Sequence, residues 1–137
     1  MRGVRANGGF FRTYTVLVKM GQTETQLVLD TGSSDLWVAS DACTSSQCGS
    51  LTLYPQASFQ SANLDASLFY GDSTTGTFAS GEIGEDVVGV AGLSIEKQFF
   101  AAINSTNTTV LHTGSAGILG MGFPVNRYLL STFSFEY

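Results

Sequence analysis

The chain has 137 residues, of which 43% are apolar, and a net charge of −5. That length and apolar content suit one folded domain with a hydrophobic core and argue against a disordered chain. The acidic balance argues against nucleic acid or an anionic membrane as a partner, and no apolar run approaches the ~20 residues that span a bilayer. Sixteen glycines among many serines and threonines predict frequent turns between short strands.

The beginning of the chain, residues 1–12, is interpreted as an N-terminal extension. Residues 1–7 contain no apolar stretch that could act as a signal peptide. Two alternatives follow: either the chain stays inside the cell, or its true beginning is missing.

A strand pair follows the extension. Residues 14–20 are rich in β-branched and aromatic side chains that roughly alternate, which predicts a strand. Residues 21–23 predict a hairpin turn. Residues 26–29 predict a second strand, which leads directly into Asp30.

Asp30 ends an apolar run, and a carboxylate there is costly to bury unless it is paired or hydrogen-bonded. The following residues offer a remedy, because Gly32 permits an unusual backbone turn and Thr31 and Ser33 carry hydroxyl donors. Taken alone, Asp-Thr-Gly is typical of a strand that ends in an Asx-type turn.

The longer string over residues 29–38, Leu-Asp-Thr-Gly-Ser-Ser-Asp-Leu-Trp-Val, resembles the active-site segment of the pepsin-like aspartic proteases. The resemblance implies an all-β lobe with short strands, a flap hairpin and a psi-type active-site loop. It also implies that Asp30 is one of two catalytic aspartates and that Ser33 hydrogen-bonds to it. Thr31 would tie two active-site loops together, and Gly32 completes the supporting loop.

Cys43 and Cys48 are the only cysteines and bracket a polar loop. A metal site normally needs four ligands, and a redox dithiol is more usually Cys-x-x-Cys. Two free thiols remain open, but a short-loop disulfide is favoured. The pepsin-like family often has a small disulfide loop at this place, and the resemblance therefore implies a Cys43–Cys48 disulfide.

Residues 66–81 predict a hairpin, because two strand-like runs flank a polar, Gly-containing tip. The Tyr-Gly-Asp-Ser string at residues 70–73 is similar to the flap of pepsin-like enzymes, which folds over the substrate. The resemblance implies that Tyr70 presents its ring to the substrate, and that Gly71 and Asp72 hydrogen-bond to the substrate backbone. Otherwise, Tyr70 is an aromatic residue at the end of a strand.

Residues 85–90 and 93–101 predict a further strand pair. The resemblance to the pepsin-like family implies that Phe99 or Phe100 lies in the core. Asn104 and Asn107 each begin an Asn-x-Thr sequon and are candidate N-glycosylation sites in a polar loop. Such tripeptides count only if the chain enters the secretory route, and the two sites are too crowded for joint occupancy.

Residues 112–115, His-Thr-Gly-Ser, imitate the active-site string with histidine in place of aspartate. They come too soon after Asp30 to begin a second lobe, and His112 is interpreted as a surface loop residue. Residues 116–122 resemble the family strand that crosses behind the first active-site loop. Ile118 and Leu119 would therefore pack under Asp30.

The resemblance places the N-terminal lobe of a pepsin-like protease at residues 13–124 and leaves residues 125–137 as a truncated tail. It implies an aspartic endopeptidase that cleaves peptide bonds at acidic pH in a secreted or vacuolar compartment. Its two aspartates would share one proton, because two close carboxylates do not both ionise easily. Its partner is a peptide or protein substrate, and neither a cofactor nor a metal is implied.

The chain contains no second Asp-Thr-Gly or Asp-Ser-Gly. It is therefore expected to be one lobe that needs a missing C-terminal lobe, a homodimer that uses two copies of Asp30, or an inactive peptide-binding lobe. An unrelated secreted β-domain with a chance Asp-Thr-Gly would instead place Asp30 and Tyr70 far apart.

Overall fold

The structure is a computed structural model that describes residues 2–5, 12–70 and 76–122. Within these ranges the regular structure consists of eight strands and three short 3₁₀ helices, with no α-helix. The strands are β1 Arg2–Arg5, β2 Arg12–Met20, β3 Thr23–Asp30, β4 Leu36–Ala39, β5 Gln60–Tyr70, β6 Thr77–Val90, β7 Leu93–Thr106 and β8 Gly117–Gly120. The 3₁₀ helices are Ser46–Cys48, Gln56–Ser58 and Thr109–Thr113.

All eight strands form one sheet in the order β1-β2-β3-β8-β4-β7-β6-β5. An additional antiparallel pairing joins β2 to β6, with Val18 opposite Val90 and Met20 opposite Val88. Because β6 pairs with both β7 and β2, the sheet curls back on itself into a barrel-like form. The all-β prediction is confirmed.

Strands β3 and β4 follow each other in the chain but are not neighbours in the sheet. Strand β8 lies between them, parallel to β3 and antiparallel to β4. This is the psi arrangement expected for the active-site loop, and it places the turn at residues 31–35 at one end of three adjacent strands.

Most buried positions of the strands are occupied by apolar residues. On β2, Val18 and Met20 are buried while Leu17 and Lys19 between and before them are exposed, as period-two alternation requires. Strand β4 is buried at all four positions, because both of its faces are covered. The largest fully buried side chains include Trp37, Tyr54 and Phe100. Of the two predicted core candidates, Phe100 is fully buried and Phe99 is partly buried.

Strand β5 begins at Gln60, six residues before the run that the sequence predicts as strand. Its first half is polar and contains an irregularity between Ser61 and Leu64, where Asn63 has a φ of 55°. Among the described strands β5 lies at the edge of the sheet and pairs with β6 alone, and this pairing does not require apolar side chains at these positions. Strand β7 likewise extends to Thr106 and includes Asn104, which was expected in a loop.

The disulfide between Cys43 and Cys48 is present and closes a loop with a sequence separation of five. His112 is exposed, as expected, and lies on the 3₁₀ helix Thr109–Thr113. Of the tail predicted at residues 125–137, no part belongs to the described residues.

Candidate active site

Asp30 is the last residue of β3 and pairs with Gly120 of β8. Its backbone carbonyl accepts a hydrogen bond from the Met121 N–H at 2.7 Å. The neighbouring pairs, Val28 with Ile118 and Leu29 with Leu119, anchor the end of β3 in the sheet. The strand ladder therefore fixes the Asp30 backbone just before the chain turns.

The Asp30 carboxylate is half-buried and accepts two hydrogen bonds from the residues that follow it. The Gly32 N–H donates to Oδ1 at 2.9 Å, and the Ser33 hydroxyl donates to Oδ2 at 2.7 Å. The Gly32 bond is an Asx turn, so the local hydrogen-bonding interpretation and the active-site interpretation describe the same geometry. Each carboxylate oxygen keeps acceptor capacity for a further donor.

The last residue of β8 and the chain just after it hold the turn that follows Asp30. The Gly122 N–H donates to the Ser33 carbonyl at 2.7 Å, and the Gly120 N–H donates to the Asp35 carbonyl at 3.0 Å. A Cβ at Gly120 would lie 2.7 Å from the Ser33 carbonyl oxygen, which leaves no room for a side chain. The backbone at Gly120 and Gly122 therefore approaches the turn closely, and the two hydrogen bonds hold the turn against the sheet.

Thr31 and Gly32 are exposed, whereas Ser33 is buried. Ser33 therefore supports the carboxylate from the protein side, while Thr31 lies on the side that faces away from the sheet.

Tyr70 ends β5 and joins the site through Trp37 of β4. The fully buried Trp37 donates its indole Nε1–H to the Tyr70 hydroxyl oxygen at 2.7 Å. Trp37 pairs with Ile118, and Ile118 pairs with Val28, two residues before Asp30. Since adjacent strands lie about 4.8 Å apart, Trp37 is only about 10 Å across the sheet from the strand that carries Asp30.

The Trp37–Tyr70 bond is a feature that sequence reasoning missed. The two residues are 33 positions apart in the sequence, and no local sequence pattern predicts a contact between residues so far apart. The only available signal was the need of a buried indole N–H for an acceptor. The other two predicted hairpin residues, Gly71 and Asp72, lie outside the described residues.

A cavity of about 440 Å³ lies away from this turn. Its lining includes Leu17, Gln26, Ser50 and His112, but neither Asp30 nor Tyr70. Across the described ranges, no three His, Cys, Asp or Glu residues cluster as metal ligands would. No helix in the same ranges has the length and apolar character needed to cross a bilayer.

Comparison with known proteins gives consistent matches. A family model described as eukaryotic aspartyl protease matches residues 13–136. An aspartic protease of Phaffia rhodozyma is 40% identical over 106 residues, which are 75% of this chain and 25% of that protein. Secreted aspartic protease 3 of Candida albicans is 37% identical over 129 residues, which are 84% of this chain and 30% of that protein. Rhizopuspepsin-4 of Rhizopus niveus is 39% identical over 102 residues, which are 72% of this chain and 24% of that protein.

Proposed function

Because the chain belongs to the eukaryotic aspartyl protease family, we propose that it is one lobe of an aspartic-type endopeptidase and that Asp30 is one of two catalytic aspartates. The matched segments are between 24% and 30% of the length of the relatives described above. The lobe would occupy residues 13–124, with residues 1–12 as an extension and residues 125–137 as a tail. The second aspartate would come from outside this chain.

The observation that carries the proposal is the support of the Asp30 carboxylate by Gly32 and Ser33 at the end of β3. Both donors come from the carboxylate's own turn, so they hold its orientation without using all of its acceptor capacity. A second aspartate and a water molecule would take up the remaining positions.

In the proposed reaction the two aspartates share one proton. The ionised carboxylate accepts a proton from the water, whose oxygen attacks the carbonyl carbon of the scissile peptide bond. The protonated carboxyl donates its proton to the carbonyl oxygen, giving a tetrahedral diol. The diol then collapses: the C–N bond breaks, the amine leaves with a proton, and a carboxylic acid remains.

The remaining predicted residues would act around this centre. Thr31 would tie this turn to the corresponding turn of the second lobe, and Tyr70 would present its ring to the substrate. Gly71 and Asp72, which follow Tyr70 in the chain, would bond the substrate backbone as an added strand does.

The substrate class is a peptide or an unfolded segment of a protein. The Cys43–Cys48 disulfide suits an oxidising compartment, and the Candida albicans relative is named a secreted protease. We therefore place the activity in a secreted or vacuolar, acidic setting.

The proposal is tested by following peptide cleavage by the full chain at acidic pH over a concentration series, beside Asp30→Asn. If two copies of Asp30 form the pair, the initial rate rises with the square of the chain concentration. If a distinct second lobe is required, cleavage begins only when that lobe, taken from a relative, is added. Cleavage that Asp30→Asn retains in either setting would refute the proposal.

A peptide-binding lobe without activity is the second candidate, because these 137 residues contain a single Asp-Thr-Gly. The two candidates differ in their response to a peptide that carries a tetrahedral hydroxyl in place of the scissile carbonyl. An endopeptidase site binds this peptide more tightly than the ordinary peptide and loses the preference in Asp30→Asn. A binding lobe shows no preference and keeps its affinity in that variant.

A further inference from the structure

The two sequon asparagines, three residues apart, differ in what their side chains do. Asn104 is exposed on β7, and its side chain makes no hydrogen bond to any described residue. Asn107, just beyond the end of β7, uses both ends of its side-chain amide. Both asparagines match the same sequon, but only the Asn107 side chain is hydrogen-bonded to other described residues.

The Asn107 amide binds Gly76, which immediately precedes β6, and Phe78, the second residue of β6. Its Oδ1 accepts a hydrogen bond from the Phe78 N–H at 2.8 Å, and its Nδ2 donates to the Gly76 carbonyl at 2.9 Å. Its own backbone N–H donates to the Phe78 carbonyl at 3.3 Å. One residue therefore makes three hydrogen bonds to the same short segment.

These bonds lie where the regular ladder between β6 and β7 stops. The last paired residues of that ladder are Ala79 and Thr106. The Thr106 hydroxyl adds a bond to the Phe78 carbonyl at 2.7 Å. Asn107 therefore adds hydrogen bonds between the two chain segments one residue beyond the last ladder pair, mainly through its side chain.

The segment that Asn107 holds is the direct partner of the Tyr70 strand. In the pairing of β5 with β6, Tyr70 lies opposite Thr77, and Phe69 lies opposite Phe78. Strand β5 lies at the edge of the sheet, and among the described strands its only ladder partner is β6. The position of Tyr70 therefore depends on the position of residues 76–78.

We propose that Asn107 is a positioning residue for Tyr70: its side-chain amide clamps Gly76 and Phe78, and through them holds Tyr70 against Trp37. The catalytic meaning of this clamp rests on the proposed function, because there Tyr70 faces the substrate. The structural effect of the clamp does not depend on the proposed function, because it concerns only the hydrogen bond between Trp37 and Tyr70. Asn104 remains the glycan candidate of the pair.

Trp37 provides a direct readout, because it is the only tryptophan in the chain. Its indole N–H gives one resonance in a nitrogen–proton correlation spectrum, and that proton is the one donated to Tyr70. Tyr70→Phe removes the acceptor and supplies the reference spectrum for a lost bond. Both measurements use the full chain produced in bacteria, where no glycan is attached.

The test variant is Asn107→Asp, and the matched control is Asn104→Asp. The aspartate at 107 keeps an acceptor for the Phe78 N–H but loses the donor to Gly76 and places a negative charge beside its carbonyl. We expect the indole resonance of Asn107→Asp to move toward that of Tyr70→Phe, and its proton to exchange about fivefold or more faster. Asn104→Asp, with the same change of charge, should match the wild type.

Two results would overturn the proposal. One is an indole resonance and exchange rate in Asn107→Asp equal to those of the wild type. The other is an equal acceleration at the Ile118 amide in the centre of the sheet, which would mean general loss of stability and no specific positioning. Loss of cleavage in the wild type leaves both readouts in place, so failure of the proposed function is distinguishable from failure of the clamp.

Discussion

At the scale of single residues, Ser33 is the most informative neighbour of Asp30. Ser33 is buried, while the carboxylate that it binds is half-exposed. Its hydroxyl donates to Oδ2, the Gly32 N–H donates to Oδ1, and the exposed part of the carboxylate faces away from both donors. A hydrogen bond to a charged group contributes about 1.5–3 kcal/mol. That range is enough for the bond to control the orientation of the Asp30 carboxylate.

We therefore expect Ser33→Ala to lower kcat/KM for peptide cleavage about 10- to 100-fold, because the carboxylate loses one of its two internal donors. The measurement is steady-state cleavage under the conditions in which the wild type is active. Ser67→Ala, at an exposed position on β5, is the control and should leave the rate unchanged. Equal rates for Ser33→Ala and wild type would show that the bond does not serve catalysis.

Tyr54 is a second residue whose role depends on burial. Its ring is fully buried between Phe59 and Phe100, and its hydroxyl donates to the Asp86 Oδ2 at 2.7 Å. Burial raises the pKa of the Tyr54 phenol well above its usual range, and Asp86 raises it further, while a hydrogen bond from Ser58 opposes both. The folded protein therefore holds this proton more tightly than the unfolded chain does.

The stability contributed by Tyr54 is complete below the unfolded-state pKa of about 10 and is lost as the pH rises toward the higher folded-state value. We expect Tyr54→Phe to be less stable than the wild type at pH 7 by about 1–3 kcal/mol, because Asp86 loses its donor. This difference should narrow as the pH rises above about 10. Denaturant unfolding at each pH measures it, with the exposed Tyr14→Phe as control; a constant difference would contradict the account.

At the scale of elements, the disulfide loop connects to more than its own ends. The Thr106 N–H donates to the Ser45 hydroxyl oxygen at 2.9 Å, and the Thr44 N–H donates to the Asn104 carbonyl at 3.1 Å. The loop therefore packs on the end of β7, beside the residues that hold the start of β6. It stabilises the end of β7, which pairs with the segment of β6 that lies opposite the end of β5.

Replacing both Cys43 and Cys48 by serine should lower the free energy of unfolding by about 2 kcal/mol, the value expected for a loop this short. Urea unfolding of the double variant, beside the wild type with and without reductant, measures the loss. The reduced wild type should match the double variant. Unchanged stability in both would mean that the loop hydrogen bonds alone hold this segment.

Several elements were predictable from the sequence because their signals are local. Alternating apolar residues predict β2 and β3, and a polar, Gly-containing tip predicts the β5–β6 hairpin. The start of β5 was missed, because residues 60–65 are mostly polar and pair only along an edge. Asn107 was interpreted as a glycan candidate, because a motif contains no information about the carbonyl and N–H groups that the fold brings near.

At the scale of the whole molecule, the site exists only because distant segments meet. Strand β8 arrives about 90 residues after β3 in the chain and fills the gap between β3 and β4. The pairing of β2 with β6 closes the sheet, and no periodicity in either strand predicts that contact. The position of Asp30 was predictable through its resemblance to a known active-site string, whereas the Trp37–Tyr70 bond and the Tyr54–Asp86 bond were not.

The family assignment and the single Asp-Thr-Gly together define the central claim, that Asp30 supplies one of the two carboxylates of a proteolytic site. Since the chain matches only a part of its relatives, activity is best measured with the second lobe of a relative present in excess. Under that condition the concentration of this chain sets the rate.

The most direct measurement compares acid-pH peptide cleavage by the wild type, Asp30→Asn and Asp65→Asn under that condition. Asp65 is exposed on β5 and undergoes the same loss of charge, so it controls for the substitution itself. The account predicts cleavage by the wild type and Asp65→Asn and none by Asp30→Asn. Equal cleavage by Asp30→Asn and the wild type would contradict it.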